Sequence, residues 1–305
     1  MIKVVSYLAG IPVKNKNPSK PEILKRFVQG VTVHGDSGIL HKDPTLVPCD
    51  VAVIQGWTHE HGKNSPHLKF RQAVIVEQKR QKKKLIVVDS NLFGYRQPIQ
   101  NKNYLRYSFD GVFPTTGFYF DTEVDPQRWQ QISQDHGLVL QPWQTEGKHI
   151  LICTQRQGGW SMKGLSVIDW VHQTVKEIKK YSNRPIVVRL HPGDNQANKY
   201  RADLEKFYKI SNNAQLTDDF AGAWAAVTYN SSPGVAAAIE GIPVFVTDPL
   251  PETSQAYPVA NTDLAQIESP ETFERQDWLN RLCMSHWSFD ELSNGTAWLH
   301  IKKFL

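Results

Sequence analysis

Cysteine is scarce and scattered. The chain carries Cys49, Cys153 and Cys283 in 305 residues. The number is odd and no Cys-x-x-Cys pair exists, which excludes a disulfide framework and a cysteine-built zinc site and points to a reducing, cytoplasmic setting. Long apolar runs are also missing. No stretch reaches the roughly 20 residues of a membrane-spanning helix, and Met1–Gly10 is too short an apolar run for a signal peptide, so a soluble protein is expected. Low-complexity tracts, Gly-x-Gly-x-x-Gly and P-loop patterns are absent, which argues against disorder and the familiar nucleotide-loop folds. Nor is there an excess of one charge: 35 Lys and Arg against 30 Asp and Glu leave +5. The densest basic patch, Lys79-Arg-Gln-Lys-Lys-Lys84, reads first as the solvated end of a helix and second as a contact for an acidic polymer.

What the chain does contain is apolar runs alternating with helical patterns. Hydrophobic residues make up 40% of it, enough for a large core, and the length suits two α/β domains of about 150 residues. Strands are expected at Met1–Gly10, Val31–Ser37, Asp50–Trp57 and Leu85–Asp89, with helices at Pro21–Gln29 and about Leu68–Lys82. A polar Pro/Gly stretch at Pro142–Lys148 separates this series from a second. The expected division is residues 1–145, residues 146–288 and a C-terminal helix over 289–305 that packs across both domains.

In an alternating β/α chain, ligands collect at the carboxyl ends of the strands. In the second half those ends are Arg156-Gln-Gly158-Gly159, then Arg189-Leu-His191-Pro192, then Tyr229-Asn230-Ser231-Ser232 before Pro233-Gly234. Arginine pairs with phosphate oxygens, glycines permit close backbone approach, and Ser232-Pro233 reads as a helix N-cap followed by a first-turn proline, with Gly241 as the left-handed stop. A phosphate fits these groups. In the first half Asp36, His59 and Asp89 fall at expected strand ends. His59-x-His61 lacks a third ligand at a recognisable spacing, so no metal is assigned.

Arg189-Leu-His-Pro192, Asp218-Asp219, Val227-Thr-Tyr-Asn-Ser-Ser-Pro233 and Glu240-Gly-Ile-Pro-Val244 together resemble the donor-binding half of GT-B glycosyltransferases, of the capsular-polysaccharide type. The resemblance covers about residues 149–250, and a Glu-x(7)-Glu pair found in many retaining members is missing. It implies an α/β fold of two Rossmann-like parallel-sheet domains facing a central cleft. It also implies a nucleotide-sugar donor such as a UDP-sugar, held without metal or cofactor by Arg156, Gly158, Gly159, Arg189, His191, Tyr229, Asn230, Ser231, Ser232 and Gly234. These groups would offset charge on the leaving nucleotide. Asp36 is the expected base, with His59 and Asp89 as alternatives and a turn-capping Asp36 as the competing reading.

For the acceptor, the small, mildly basic chain also resembles phage enzymes that glycosylate hydroxymethylated DNA bases in the host cytoplasm. On that reading Lys82, Lys83, Lys84, Arg96 and Arg106 contact DNA phosphates, and the loop around Phe93 and Tyr95 supports an extruded base. A surface or capsular glycan acceptor, and a non-catalytic nucleotide- or glycan-binding protein, stand as alternatives.

Overall fold

The apolar runs Val4–Val5, Val51–Ile54 and Leu85–Val88 are buried on both faces, as strands of a helix-covered parallel sheet must be. The computed structural model describes residues 1–12, 19–58, 65–96, 103–114 and 124–305. They form two units: Met1–Asn91, Asn101–Asp125 and Arg281–Leu305 make the first, Leu92–Gln100 and Pro126–Asn280 the second.

The first unit begins with β1 (Lys3–Tyr7), α1 (Ser19–Val33), β2 (Ser37–His41), β3 (Val51–Gln55), α2 (Pro66–Arg80), β4 (Lys84–Asp89) and β5 (Tyr104–Phe109). The second holds α3 (Pro126–His136), β6 (His149–Cys153), α4 (Val167–Ile178), β7 (Ile186–Arg189), α5 (Ala197–Glu205) and β8 (Lys209–Ile210). It continues with α6 (Leu216–Phe220), β9 (Ala223–Thr228), α7 (Pro233–Ile239), β10 (Val244–Val246) and the larger part of α8 (Gln276–Cys283), whose last residues from Arg281 belong to the first unit. The chain then returns to the first unit as β11 (His286–Ser288), α9 (Phe289–Ser293) and α10 (Thr296–Ile301).

The first sheet has the order β11-β5-β4-β3-β1-β2, with β5 antiparallel to both of its neighbours. The second has the order β10-β9-β6-β7-β8 and is parallel throughout. From β6 the chain winds outward through β7 to β8, then crosses back to place β9 on the other side of β6. The carboxyl ends of β6 and β9 therefore flank a topological switch point, where open α/β sheets bind ligands.

Three expectations change. Val31-Thr-Val33 is the last turn of α1 and not a strand. Val31 continues the Leu24, Phe27 stripe into the same core cluster, so burial at i, i+3 and i+7 overrides the β preference of the branched residues. The expected single C-terminal helix is two short helices, and Ala297, Trp298 and Ile301 pack into the first unit's core. Helix α3 had no counterpart in the sequence reading, because its buried side is carried by little more than Trp129 and Ile132.

The new boundary of α1 relocates Asp36. It precedes β2 and sits at the amino edge of the sheet, where its carboxylate accepts from Ile2 N (2.9 Å) and Trp298 Nε1 (2.9 Å) and pairs with Lys302 (3.5 Å). It is a structural tie, and the expected strand-end base is corrected to that. The Ile2 bond, aided by Trp298 and Lys302 against the opposing effect of burial, holds its carboxyl below the ordinary range. A depressed carboxyl stabilises the fold above its unfolded value near 4 and loses that contribution as pH falls through the folded value. Asp36→Asn should therefore lower the melting temperature at pH 7, by an amount equivalent to about 1–3 kcal/mol for a charged hydrogen bond. The gap from the parent should close in melts recorded progressively below pH 4.

Candidate functional site

At the end of β6, Cys153 pairs with Arg189 on one side and Thr228 on the other. The turns that follow these three strands are therefore neighbours by register. After β6, Gly159 N donates to Arg156 O (2.9 Å) and Gly158 has φ +67°. This is a tight turn with glycine at the position that demands a left-handed backbone. Gln157 N is fixed by Asp194 Oδ2 (2.9 Å), and Val167 N donates to Gln157 Oε1 (2.8 Å), which ties the turn to the start of α4. Burial opposes charge on Asp194, but bonds from Gln157 N, Tyr200 Oη and Gln196 N hold its carboxyl below the ordinary range.

Arg156 is exposed and its guanidinium has no hydrogen bond or ion pair among the described residues. It lies beside His191 over Gly193, where an added Cβ would meet Arg156 Nη2 at 2.7 Å and His191 Cε1 at 3.2 Å. Gly193 N donates to His191 Nδ1 (3.0 Å), which leaves the proton on Nε2. Burial, and then the Arg156 charge, push the imidazole below its ordinary value. His191 is thus a neutral donor next to an unpaired cation.

After β9, Asn230 N donates to Gln155 Oε1 (3.0 Å), and Gln155 Nε2 donates to Ser161 Oγ (2.7 Å). Asn230 Nδ2 donates to Asp248 Oδ2 (2.7 Å) and Ser161 O (3.2 Å). Asp248 in turn takes Lys163 Nζ (2.8 Å) and Thr253 Oγ1 (2.9 Å). The Asn230 Nδ2 donors are both consumed by this frame and none is left for an anion. Ser231 Oγ is covered yet has no partner, and no bond among the described residues engages the Ser231 or Ser232 N–H. The N–H groups of Gly234 and Val235 are taken by Ser231 O (3.1 Å) and Ser232 O (2.9 Å). Ser232 lies in the helical region with no side-chain cap bond, so it continues the turn and does not cap α7. Gly234 is a packing residue, 3.1 Å from Ala256 Cβ if given a Cβ of its own. Tyr229 is buried edge-on to Trp170, and burial lifts its phenol to about 12.

Arg189 does not join the group. Its guanidinium pairs with the buried Asp219 and donates to Asn213 O (3.0 Å), Gln215 O (3.3 Å) and Ala214 O (3.1 Å). It clamps the loop before α6, and its expected phosphate role is corrected accordingly.

Apart from the exposed Lys82, the residues expected to contact DNA are also engaged elsewhere. Lys82 and Lys83 lie between α2 and β4, and Lys84 opens β4, all at the amino edge. Lys83 Nζ donates to Cys49 O (2.8 Å), and Lys84 lies over the Phe109 ring. Arg96 pairs bidentately with Glu240 (2.9 and 2.7 Å), which also accepts from Tyr95 Oη (2.8 Å). Arg106 is buried against Asp89 (3.2 Å), and Phe93 is fully buried, with no face for a base. Asp89 does stand at the carboxyl edge, partly exposed, and its Oδ1 accepts from Ser90 N (2.7 Å). His59 lies outside the described residues. Among those residues no cluster of three His, Cys, Asp or Glu is placed to hold a metal ion, and no helix is long and apolar enough to cross a membrane.

No protein-family model and no curated protein matches the chain. Among solved structures, the KpsC β-Kdo 2,7-transferase of Thermosulfurimonas dismutans matches with a TM-score of 0.52 at 16% identity, over 97% of this chain and 99% of that one. The KpsC β-Kdo 2,4-transferase of the same organism matches with a TM-score of 0.50 at 14% identity, over 93% and 91%. The chain has the GT-B fold. At such identities the likeness is one of architecture, and the chemistry rests on the residues above.

The two arginines separate in a direct test. Arg189→Ala leaves the buried Asp219 without its cation and should cost about 3–5 kcal/mol of stability in denaturant melts. Arg156→Ala should melt like the parent, within about 0.5 kcal/mol, and weaken binding of a nucleoside diphosphate measured by calorimetry.

Proposed function

We propose that the protein transfers a sugar from a nucleotide-sugar donor to a hydroxyl of a surface or capsular glycan. The observation that supports this reading most is the set of unused donors at the switch point of a GT-B sheet: Arg156, the Nε2–H of His191 and the covered Ser231 hydroxyl. As the glycosidic bond to phosphate breaks, negative charge grows on the leaving oxygen. A cation and oriented neutral donors stabilise that charge without rearranging. The second unit holds the donor in this reading, and the first presents the acceptor. In an inverting reaction Asp89 takes the proton of the attacking hydroxyl, being the described carboxylate of the original base candidates that stands at a carboxyl edge.

The test incubates the protein with a panel of nucleotide sugars and, in parallel, glycan acceptors and hydroxymethylcytosine duplexes, with products read by mass spectrometry. Extension of a glycan is expected. Arg156→Ala should lower kcat/KM by about a hundredfold or more. Asp89→Asn should cut turnover by about 10²–10⁴ while donor binding persists. Modification of the duplex with no glycan extended would replace this acceptor by DNA, and donor binding without any transfer would leave a binding protein.

A further inference from the structure

A buried arginine without a counter-ion among the described residues lies in the first unit. Arg71, on α2, is 9% exposed. Its Nε donates to Gly10 O (2.6 Å), its Nη1 reaches Gly56 O only at 3.5 Å, and Nη2 has no bond. Among the described residues no carboxylate lies within 4.0 Å of it. The nearest acidic influence is Asp89, which is already bound by Arg106 at 3.2 Å. His67, one turn earlier on α2, is driven toward its neutral form by burial first and then by Arg71 and Lys20. Two guanidinium groups thus face one carboxylate, and the mostly buried Arg71 keeps one unbonded nitrogen, Nη2, open to solvent.

The place is as informative as the charge. Gly10 closes the turn after β1, and Gly56, at φ +77°, directly follows β3. Asp89 ends β4, and Arg106 is its partner on β5. All four mark the carboxyl edge of the sheet, the side on which α/β folds bind ligands. A Cβ at Gly56 would stand 2.9 Å from Arg71 Nη1, and one at Gly10 would stand 3.2 Å from its Cγ. The two glycines make room for the guanidinium between the strand ends. Burying an ion without a partner is unfavourable. The outer Nη1/Nη2 fork matches two oxygens of a carboxylate or a phosphate.

We propose that Arg71 is the centre of a second anion site, on the first unit, which takes a carboxylate or phosphate group of the acceptor. Only the word acceptor rests on the transferase reading. The site itself is tested without any sugar transfer, so either can fail alone.

Calorimetry with inorganic phosphate, D-glucuronate and D-glucose is performed on Arg156→Ala protein, in which the donor-side cation is absent. One equivalent of anion should bind and glucose should not. The stronger of phosphate and glucuronate identifies the anionic group. Adding Arg71→Gln should weaken that binding at least tenfold. Arg71→Lys, which keeps the charge but loses the fork, should fall between the two. No anion binding in Arg156→Ala protein, or unchanged binding in a folded Arg71→Gln protein, overturns the proposal and leaves Arg71 a staple. Should both Arg71 variants fail to fold, crystals of the unaltered protein soaked in selenate decide. An anomalous peak in hydrogen-bonding reach of the Arg71 guanidinium is expected, and its absence overturns the site.

Discussion

The proposed donor-side site depends on one hydrogen bond, from the Asn230 N–H to Gln155 Oε1. It joins the turn after β9 to the turn after β6 across the switch point, and both residues are buried. Each then commits its remaining polar atoms inward: Gln155 to Ser161, Asn230 to Asp248 and the Ser161 carbonyl, Asp248 to Lys163 and Thr253. Removing one member would strand a buried partner at about 1–3 kcal/mol, so the members hold one another in place. The frame is saturated, while Arg156, His191 and Ser231 keep unused donors. Rigid support beneath unpaired donors is what electrostatic preorganisation requires.

Residue type does not show what an arginine does in this chain; its partners do, and they need not be carboxylates, since Arg275 is buried against the Ala238 and Gln141 carbonyls and the Trp143 ring. Arg189, Arg106 and Arg96 each meet a carboxylate inside their own unit. Arg189 and Arg106 also sit at strand ends, where a sequence reading places ligand contacts. Arg156 and Arg71 meet no carboxylate, one at the surface and the other buried. A paired arginine that is truncated releases a buried acid and harms the fold. An unpaired one can be lost at less structural cost, and its charge is available to something outside the chain.

Much of the second unit was legible. The turn glycines Gly158 and Gly159 and the left-handed Gly241 are set by local chemistry, and the structure has each of them. Gly241 shows why: a Cβ there would stand 2.0 Å from Pro142 O, and its φ of +76° excludes most side chains on its own. The misses depend on distant partners. Asp36 needed Trp298 to be understood, and Arg189 needed Asp219, thirty residues on. Arg71 drew no notice, because an arginine in a polar helix reads as a solvated face. The sequence does offer a hint in the glycines at the ends of β1 and β3, but a hint only of close approach, not of what approaches.

The errors of the first unit share a cause in topology. In a parallel β/α sheet, a residue between a helix and the next strand lies at the amino edge, and one between a strand and the next helix lies at the carboxyl edge. Asp36, between α1 and β2, and Lys82 to Lys84, between the end of α2 and the first residue of β4, fall at the amino edge once the helix limits are known. Reading Val31–Val33 as strand in place of helix moved Asp36 to the wrong side by a single boundary. Arg156, His191 and Ser231 follow strands and needed no such correction. Arg71 completes the rule from the helix side. It is the sixth residue of α2, and the first turns of a crossover helix stand at the edge where the preceding strand has just ended. A long side chain there can reach back over β1 and β3, so a helix residue shares an edge with the strand-end loops.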